Sequence, residues 1–165
     1  MKSIKIFLVF VCFMAGVKAQ KLLIPMDFSQ TNHLKAYGIV YWVLKKGVNV
    51  EWLLNYRGGS FMFKYFPEAE KRMKIKGVYY EKSTPERVLQ IYATIEENNM
   101  DIVLLEKAAK IAVYSPPNMQ PWDDAVTLAL TYAEIDYDVV WDEEVLKGEL
   151  SKYDWLHLHH EDFTG

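Results

Sequence analysis

The most chemically loaded string in the sequence is His157-Leu158-His159-His160-Glu161-Asp162. On an extended backbone, alternation puts His157 and His159 on one face. Two imidazoles and a carboxylate there have the chemistry to hold Zn²⁺ or Fe²⁺. Such a centre needs a further ligand placed by the fold, and the same residues would serve equally to end a strand and meet water. A second string is Arg57-Gly58-Gly59-Ser60. Backbone N–H groups beside a guanidinium suit an anion such as a carboxylate. An ordinary turn needing positive φ uses the same residues. Asp27 can bind an amine or hold a loop by bonding its own backbone. Asp123 and Asp124 stand at a helix start, where they would repel phosphate, so that helix is not expected to cradle a nucleotide.

An alternation of strands and helices must position these groups. Lys21–Phe28 reads as a buried strand marred by Pro25, which suggests an edge or a bulge. Thr31–Lys46 follows as a helix, capped by Ser29 or Thr31 and stopped at Gly47. Its middle, Ala36–Leu44, is apolar on nearly every side, which suits burial between layers or beneath a partner. Val48–Tyr56 is a second strand. Phe61–Gly77 has no clear period, although Glu68–Lys76 resembles a short charged helix on the surface or a mobile excursion, whose basic half, Lys71–Lys76, could touch an acidic surface but is read first as a solvated face. Val78–Glu81 reads as a short strand. Thr84-Pro85-Glu86 opens a helix with Val88, Ile91, Tyr92 and Ile95 on one face. Asp101–Leu105 is a brief apolar run. Ile111–Ser115, Tyr137–Trp141 and Asp154–Leu158 read as strands, with a helix over Pro121–Ile135. The sequence changes character near Lys107–Lys110. The five tryptophans are read mainly as core.

Strands separated by helices imply right-handed crossovers and a mainly parallel sheet with helices on both faces. In such a sheet, ligands bind at the carboxyl ends of the strands. That geometry gathers Asp27, Arg57, Gly58, Gly59, His159 and Glu161 into one crevice as candidate ligand-binding residues. No metal site and no catalytic residue is assigned, and the cofactor is unknown.

The first nineteen residues read as an address rather than as fold. Lys2 and Lys5 precede the apolar run Ile6–Val17, and Val17-Lys18-Ala19 offers small residues for a cut before Gln20. Twelve helical residues span about 18 Å, short of a hydrocarbon core of about 30 Å. A signal peptide over 1–19 and an exported α/β domain over 20–165, periplasmic or extracellular, are therefore expected, with no membrane span after signal removal. Cys12 is the one cysteine, so the mature segment has neither a disulfide nor a thiol nucleophile. Losing Lys2, Lys5 and Lys18 and no acid takes the formal charge from −3 to −6. That balance leaves no strongly basic face, and nucleic acid is not an expected partner. A composition with 51% hydrophobic residues excludes disorder.

The stretches KLLIPMDFSQTNHLKAYGIVYW, VNVEWLLNYRGGSF, IAVYSPPNMQPWDDAVTLAL and YDWLHLHHEDFTG resemble a family of exported bacterial proteins usually labelled asparagine synthetase B. The resemblance covers nearly all of 20–165. It implies a class I glutamine amidotransferase type of fold, a flavodoxin-like sheet. The final segment ends directly after a strand, so the chain is expected to be the N-terminal part of a longer protein. The resemblance transfers no catalytic residue. A class I amidotransferase needs a Cys at a strand-to-helix elbow with a later His and Glu, and no such set occurs before Gly165. Three functions follow: an exported amidotransferase-like protein of that family, a non-catalytic cell-envelope binding or assembly module, or, more weakly, a metal-dependent hydrolase. The ligand would be a small molecule or an envelope protein.

Overall fold

The computed structural model describes residues 20–120 and 124–158. The first elements among the described residues are β1 (Lys21–Ile24), α1 (His33–Lys45), β2 (Val50–Leu53) and β3 (Ser60–Lys64). The chain continues through α2 (Pro67–Lys76), β4 (Glu81–Ser83), α3 (Pro85–Glu97) and β5 (Ile102–Leu105). These strands form one sheet in the order β4-β1-β3-β2-β5, and all four pairings are antiparallel. The second part comprises β6 (Ile111–Tyr114), α4 (Ala125–Ala133), β7 (Asp138–Val140), α5 (Asp142–Leu146) and β8 (Trp155–Leu158). Its sheet is parallel, in the order β7-β6-β8.

This overturns the expected flavodoxin-like, mainly parallel sheet. The reason lies in β3, which has no counterpart among the expected elements. β1 and β2 do run in the same direction, as a helical crossover requires, because each is antiparallel to β3. They are not neighbours, because β3 lies between them. The six residues between β2 and β3 are too few for a crossover, so this pair must be a hairpin. The order β4-β1-β3-β2 with α1 and α2 packed on one face is the split βαβ, ferredoxin-like arrangement. Only the second sheet keeps the parallel βαβ logic.

Packing follows from alternation along each strand. Leu22, Ile24, Val50, Phe61 and Phe63 meet Ala36, Ile39 and Val43 of α1 and Ala69 and Met73 of α2. Leu23, Leu53 and Met62 point the other way, onto Val88, Ile91 and Ile95 of α3. Pro25 sits just beyond β1, an interior strand, so it removes no ladder bond. The cap of α1 is Asn32 rather than Ser29 or Thr31: its side chain accepts a hydrogen bond from the Lys35 N–H at 3.0 Å. Thr84 caps α3 in the same way, and Pro85 takes the first turn.

α1 is the element common to both sheets. One side covers the antiparallel sheet, and the other meets α4 at Gly38, which lies against the backbone of Ala133. α4 in turn covers Ile111 and Val113 through Leu130. At the end of α4, Glu134 adopts a left-handed conformation (φ 60°). Its carboxylate accepts from Lys35 of α1 at 3.2 Å, from Arg72 of α2 at 3.1 Å and from Lys76 of α2. The basic half of α2 is therefore not simply the solvated face expected of it: Arg72 and Lys76 meet an acidic group of their own chain.

Candidate functional site

Three places hold the groups that could act on another molecule. The first is the edge of the antiparallel sheet where β1 ends and β3 and β4 begin. The β1–β3 and β1–β4 pairings bring these ends together. Arg57 lies in a tight turn at Tyr56–Gly58, with φ 47° and ψ 49°. Its carbonyl accepts the Met26 N–H at 3.1 Å, which lays the turn across the chain leaving β1. Gly58 and Gly59 have φ of 81° and 88°, so the glycines serve the turn's backbone. The loop after β1 is fixed by buried Gln30, whose amide bonds the Tyr79 N–H and carbonyl, each at 3.2 Å.

The Arg57 guanidinium donates from Nε to Asp27 at 2.6 Å, from Nη1 to Glu81 at 2.7 Å and from Nη2 to Ser29 Oγ at 3.3 Å. Asp27 also accepts the Ser29 N–H at 3.0 Å, an Asx turn. The bonds from Arg57 and Ser29 hold the Asp27 carboxyl at about 2. Burial works against the Arg57 charge, yet the bonds to Asp27 and Glu81 outweigh it and raise its pKa. One cation between two carboxylates leaves the cluster net negative. An incoming carboxylate would have to displace one of the chain's own. The structure thus joins Asp27 to Arg57 and adds Glu81, whose place in a three-residue polar strand gave no signal. His159 and Glu161, the other members of the expected crevice, lie outside the described residues, as do His160, Asp162 and Asp123.

This clamp has a pH signature. The carboxyl of Asp27 has a lower pKa folded than its ordinary value of about 3.9 unfolded. Its contribution is therefore full above about pH 4 and is lost as pH falls through about 2. Arg57→Met should lower stability by about 1–2 kcal/mol at neutral pH, since it leaves two carboxylates facing each other. Urea melts of the variant should lose less between pH 4 and pH 2 than those of the parent. Parallel pH profiles for the two proteins would show the pair to be energetically idle.

The second place is the carboxyl edge of the parallel sheet. β6 is central, with the following strand on one side and the next on the other, so the ends of β6 and β8 flank a topological switch point. Asp124 is buried as the cap of α4, and its Oδ1 accepts from the N–H groups of Val126 at 2.7 Å and Thr127 at 2.9 Å. His157 Nε2 lies 3.2 Å from the same oxygen. Burial raises the Asp124 pKa, but the two N–H groups and His157 more than reverse this, and the net shift is downward. The positive end of α4 is thus neutralised by its own cap. An imidazole oriented by a carboxylate has the form of an acid–base group. The adjoining cavity, lined by Ser115, Thr127 and Tyr137, has a volume of about 50 Å³, room for water rather than for a substrate. Among the described residues, no group of three His, Cys, Asp or Glu side chains is placed to hold a metal ion.

The third place was not anticipated. An apolar groove of about 340 Å³ opens between α1 and the β2–β5 end of the antiparallel sheet. Tyr37, Tyr41 and Leu44 of α1 form one wall, and Trp52, Phe61 and Leu105 the other. Trp52 stacks on Phe61 at 6.0 Å, and Tyr37 meets the same ring edge-on at 5.8 Å. Trp52 is 36% exposed and Trp155 44%, so the reading of the tryptophans as core fails for both. The usable signal was the α1 sequence, apolar on more sides than one sheet can cover. No helix among the described residues is long and apolar enough to cross a membrane. No family model, curated protein or solved structure matches the chain.

Proposed function

We propose that the chain is a non-catalytic binding or assembly module of the cell envelope, exported by its N-terminal segment, and that the α1/β2–β5 groove is its binding surface. The observation that carries this reading is the contrast between the two kinds of surface. The Arg57 guanidinium is engaged by Asp27, Glu81 and Ser29, while four aromatic side chains line an open apolar groove. Aromatic walls supply large contact area at low entropic cost, and Tyr and Trp are enriched where one protein surface meets another. The export pattern and the resemblance to the family labelled asparagine synthetase B agree with an extracytoplasmic role. The amidotransferase-like fold no longer supports an enzymatic one.

The test uses anilinonaphthalenesulfonate as an apolar probe at low protein concentration. Saturable binding by the parent, weakened about tenfold by Trp52→Glu with the fold intact by circular dichroism, is expected. Absence of saturable binding removes the groove as a binding surface. Ammonia release from glutamine by the purified chain, above a heat-killed control, would replace this reading with a catalytic one.

A further inference from the structure

The antiparallel sheet has two unlike edges. β4 is three residues long and carries Glu81 and Lys82, the kind of charged edge that resists pairing. β5 is the uncharged run Ile102-Val103-Leu104-Leu105, with no proline. Ile102, Val103 and Leu104 are 42%, 39% and 53% exposed. Leu105 forms part of the groove, so edge and groove are one continuous apolar surface. An edge without protective devices is a template for another strand.

The backbone fixes the phase of that template. The Leu54 N–H donates to the Asp101 carbonyl at 2.9 Å, so Asp101 faces β2. Alternation along an antiparallel strand then turns the N–H and C=O groups of Ile102 and Leu104 outward. A second copy of β5 can bond to them only in registers that set outward residues opposite outward residues. With Leu104 opposite Leu104 of the second copy, Val103 faces Leu105 within the strand; continuing the count past the strand end, to the bend at Lys107, sets Ile102 opposite Glu106 and Asp101 opposite Lys107. That register places an Asp101–Lys107 pair at each end, an Ile102–Glu106 pair next to each, and an apolar centre of Val103, Leu104 and Leu105 between them. Shifting it by one step sets Asp101 opposite Leu105 and forfeits both pairs.

We infer that β5 is a self-association edge, pairing antiparallel with β5 of a second copy about Leu104, so that two five-stranded sheets become one continuous sheet. This rests on the reading of the chain as a binding or assembly module and names the partner as the chain itself. Asp101 and Lys107 select the register, and the exposed apolar residues of β5 supply burial. Lys107 also bonds Asp154 at 2.6 Å within the chain, but it is 74% exposed and remains within reach of a partner.

The experiment is sedimentation of the purified full chain over a wide concentration range. A concentration-dependent dimer is expected for the parent. Asp101→Lys and Lys107→Asp, each alone, should raise the dimer dissociation constant about tenfold or more by setting like charges opposite each other. An equimolar mixture of these two variants should form the heterodimer, since each then meets its opposite, and the double variant should recover self-association. Leu104→Lys, checked for folding by circular dichroism, should be monomeric. A parent that stays monomeric overturns the inference, as does a dimer indifferent to either reversal or a mixture that fails to associate. A monomeric parent whose groove still binds the apolar probe leaves the binding-module reading standing, whereas loss of probe binding removes that reading separately.

Discussion

Gly38→Ala will lower stability by about 2 kcal/mol, although alanine is the better helix former by about 1 kcal/mol. Gly38 lies inside α1, so propensity alone gives the opposite sign. The added Cβ would fall 1.8 Å from the Ala133 carbonyl oxygen and 2.9 Å from its carbon. Those are backbone atoms and cannot swing aside. α1 cannot retreat, because Ala36, Ile39 and Val43 are packed on the antiparallel sheet. α4 cannot retreat either without uncovering Ile111 and Val113. The overlap must therefore be relieved by shifting one helix, at a cost exceeding the gain in propensity. Urea denaturation measures it. A variant equal to or more stable than the parent would show that the α1–α4 contact is not formed.

Gly58→Ala will cost more, about 3 kcal/mol, because two penalties coincide. At φ 81° an L side chain strains the backbone by about 1–2 kcal/mol. The new Cβ would also lie 2.5 Å from the Met26 carbonyl oxygen and 3.0 Å from the Asp27 nitrogen. Relief must push the turn away from the loop after β1 and loosen the bonds of Arg57 to Asp27. In the variant, the Asp27 carboxyl should therefore titrate well above about 2, toward its ordinary value. NMR titration of that carboxyl separates loss of the clamp from general destabilisation. Gly59→Ala is the control. It too has positive φ, but its Cβ would meet only Trp52 Nε1 at 3.3 Å, so about 1–2 kcal/mol is expected and the titration should not move.

Local signals in the sequence were sound where they depended on neighbouring residues. Thr84-Pro85 marks the start of α3, Gly47 the end of α1, and Ile111–Tyr114 a buried strand. Adjacency in a sheet is not a local property. A helix between β1 and β2 implies that they share a direction, and they do, but nothing within either strand reports that β3 lies between them. β3 itself was obscured because Ser60 to Phe63 is buried on both faces and therefore lacks alternation, and because the charged α2 follows closely. The site was partly hidden for the same reason. Asp27 and Arg57 could be singled out by residue type, whereas their direct pairing and the arrival of Glu81 depend on the order β4-β1-β3. The groove was missed because an aromatic residue in a strand suggests core, and Trp52 faces a side of the sheet that α1 covers incompletely.

That the two sheets share no strand has a consequence for how the chain acquires its structure. β6 is bonded on both sides to strands of its own sheet, and the larger sheet ends at Leu105 before the smaller one begins. Apart from the seat of α4 on α1, the larger sheet has its strands and both covering layers within the first part of the chain. A polypeptide emerging from its N-terminal end can therefore close that unit before β6 appears. The smaller unit, whose core is built on Ile111, Val113 and Leu130, then docks onto an α1 already held in place. Order of appearance and order of assembly coincide, and the partly made chain waits with β5 as its apolar unpaired edge.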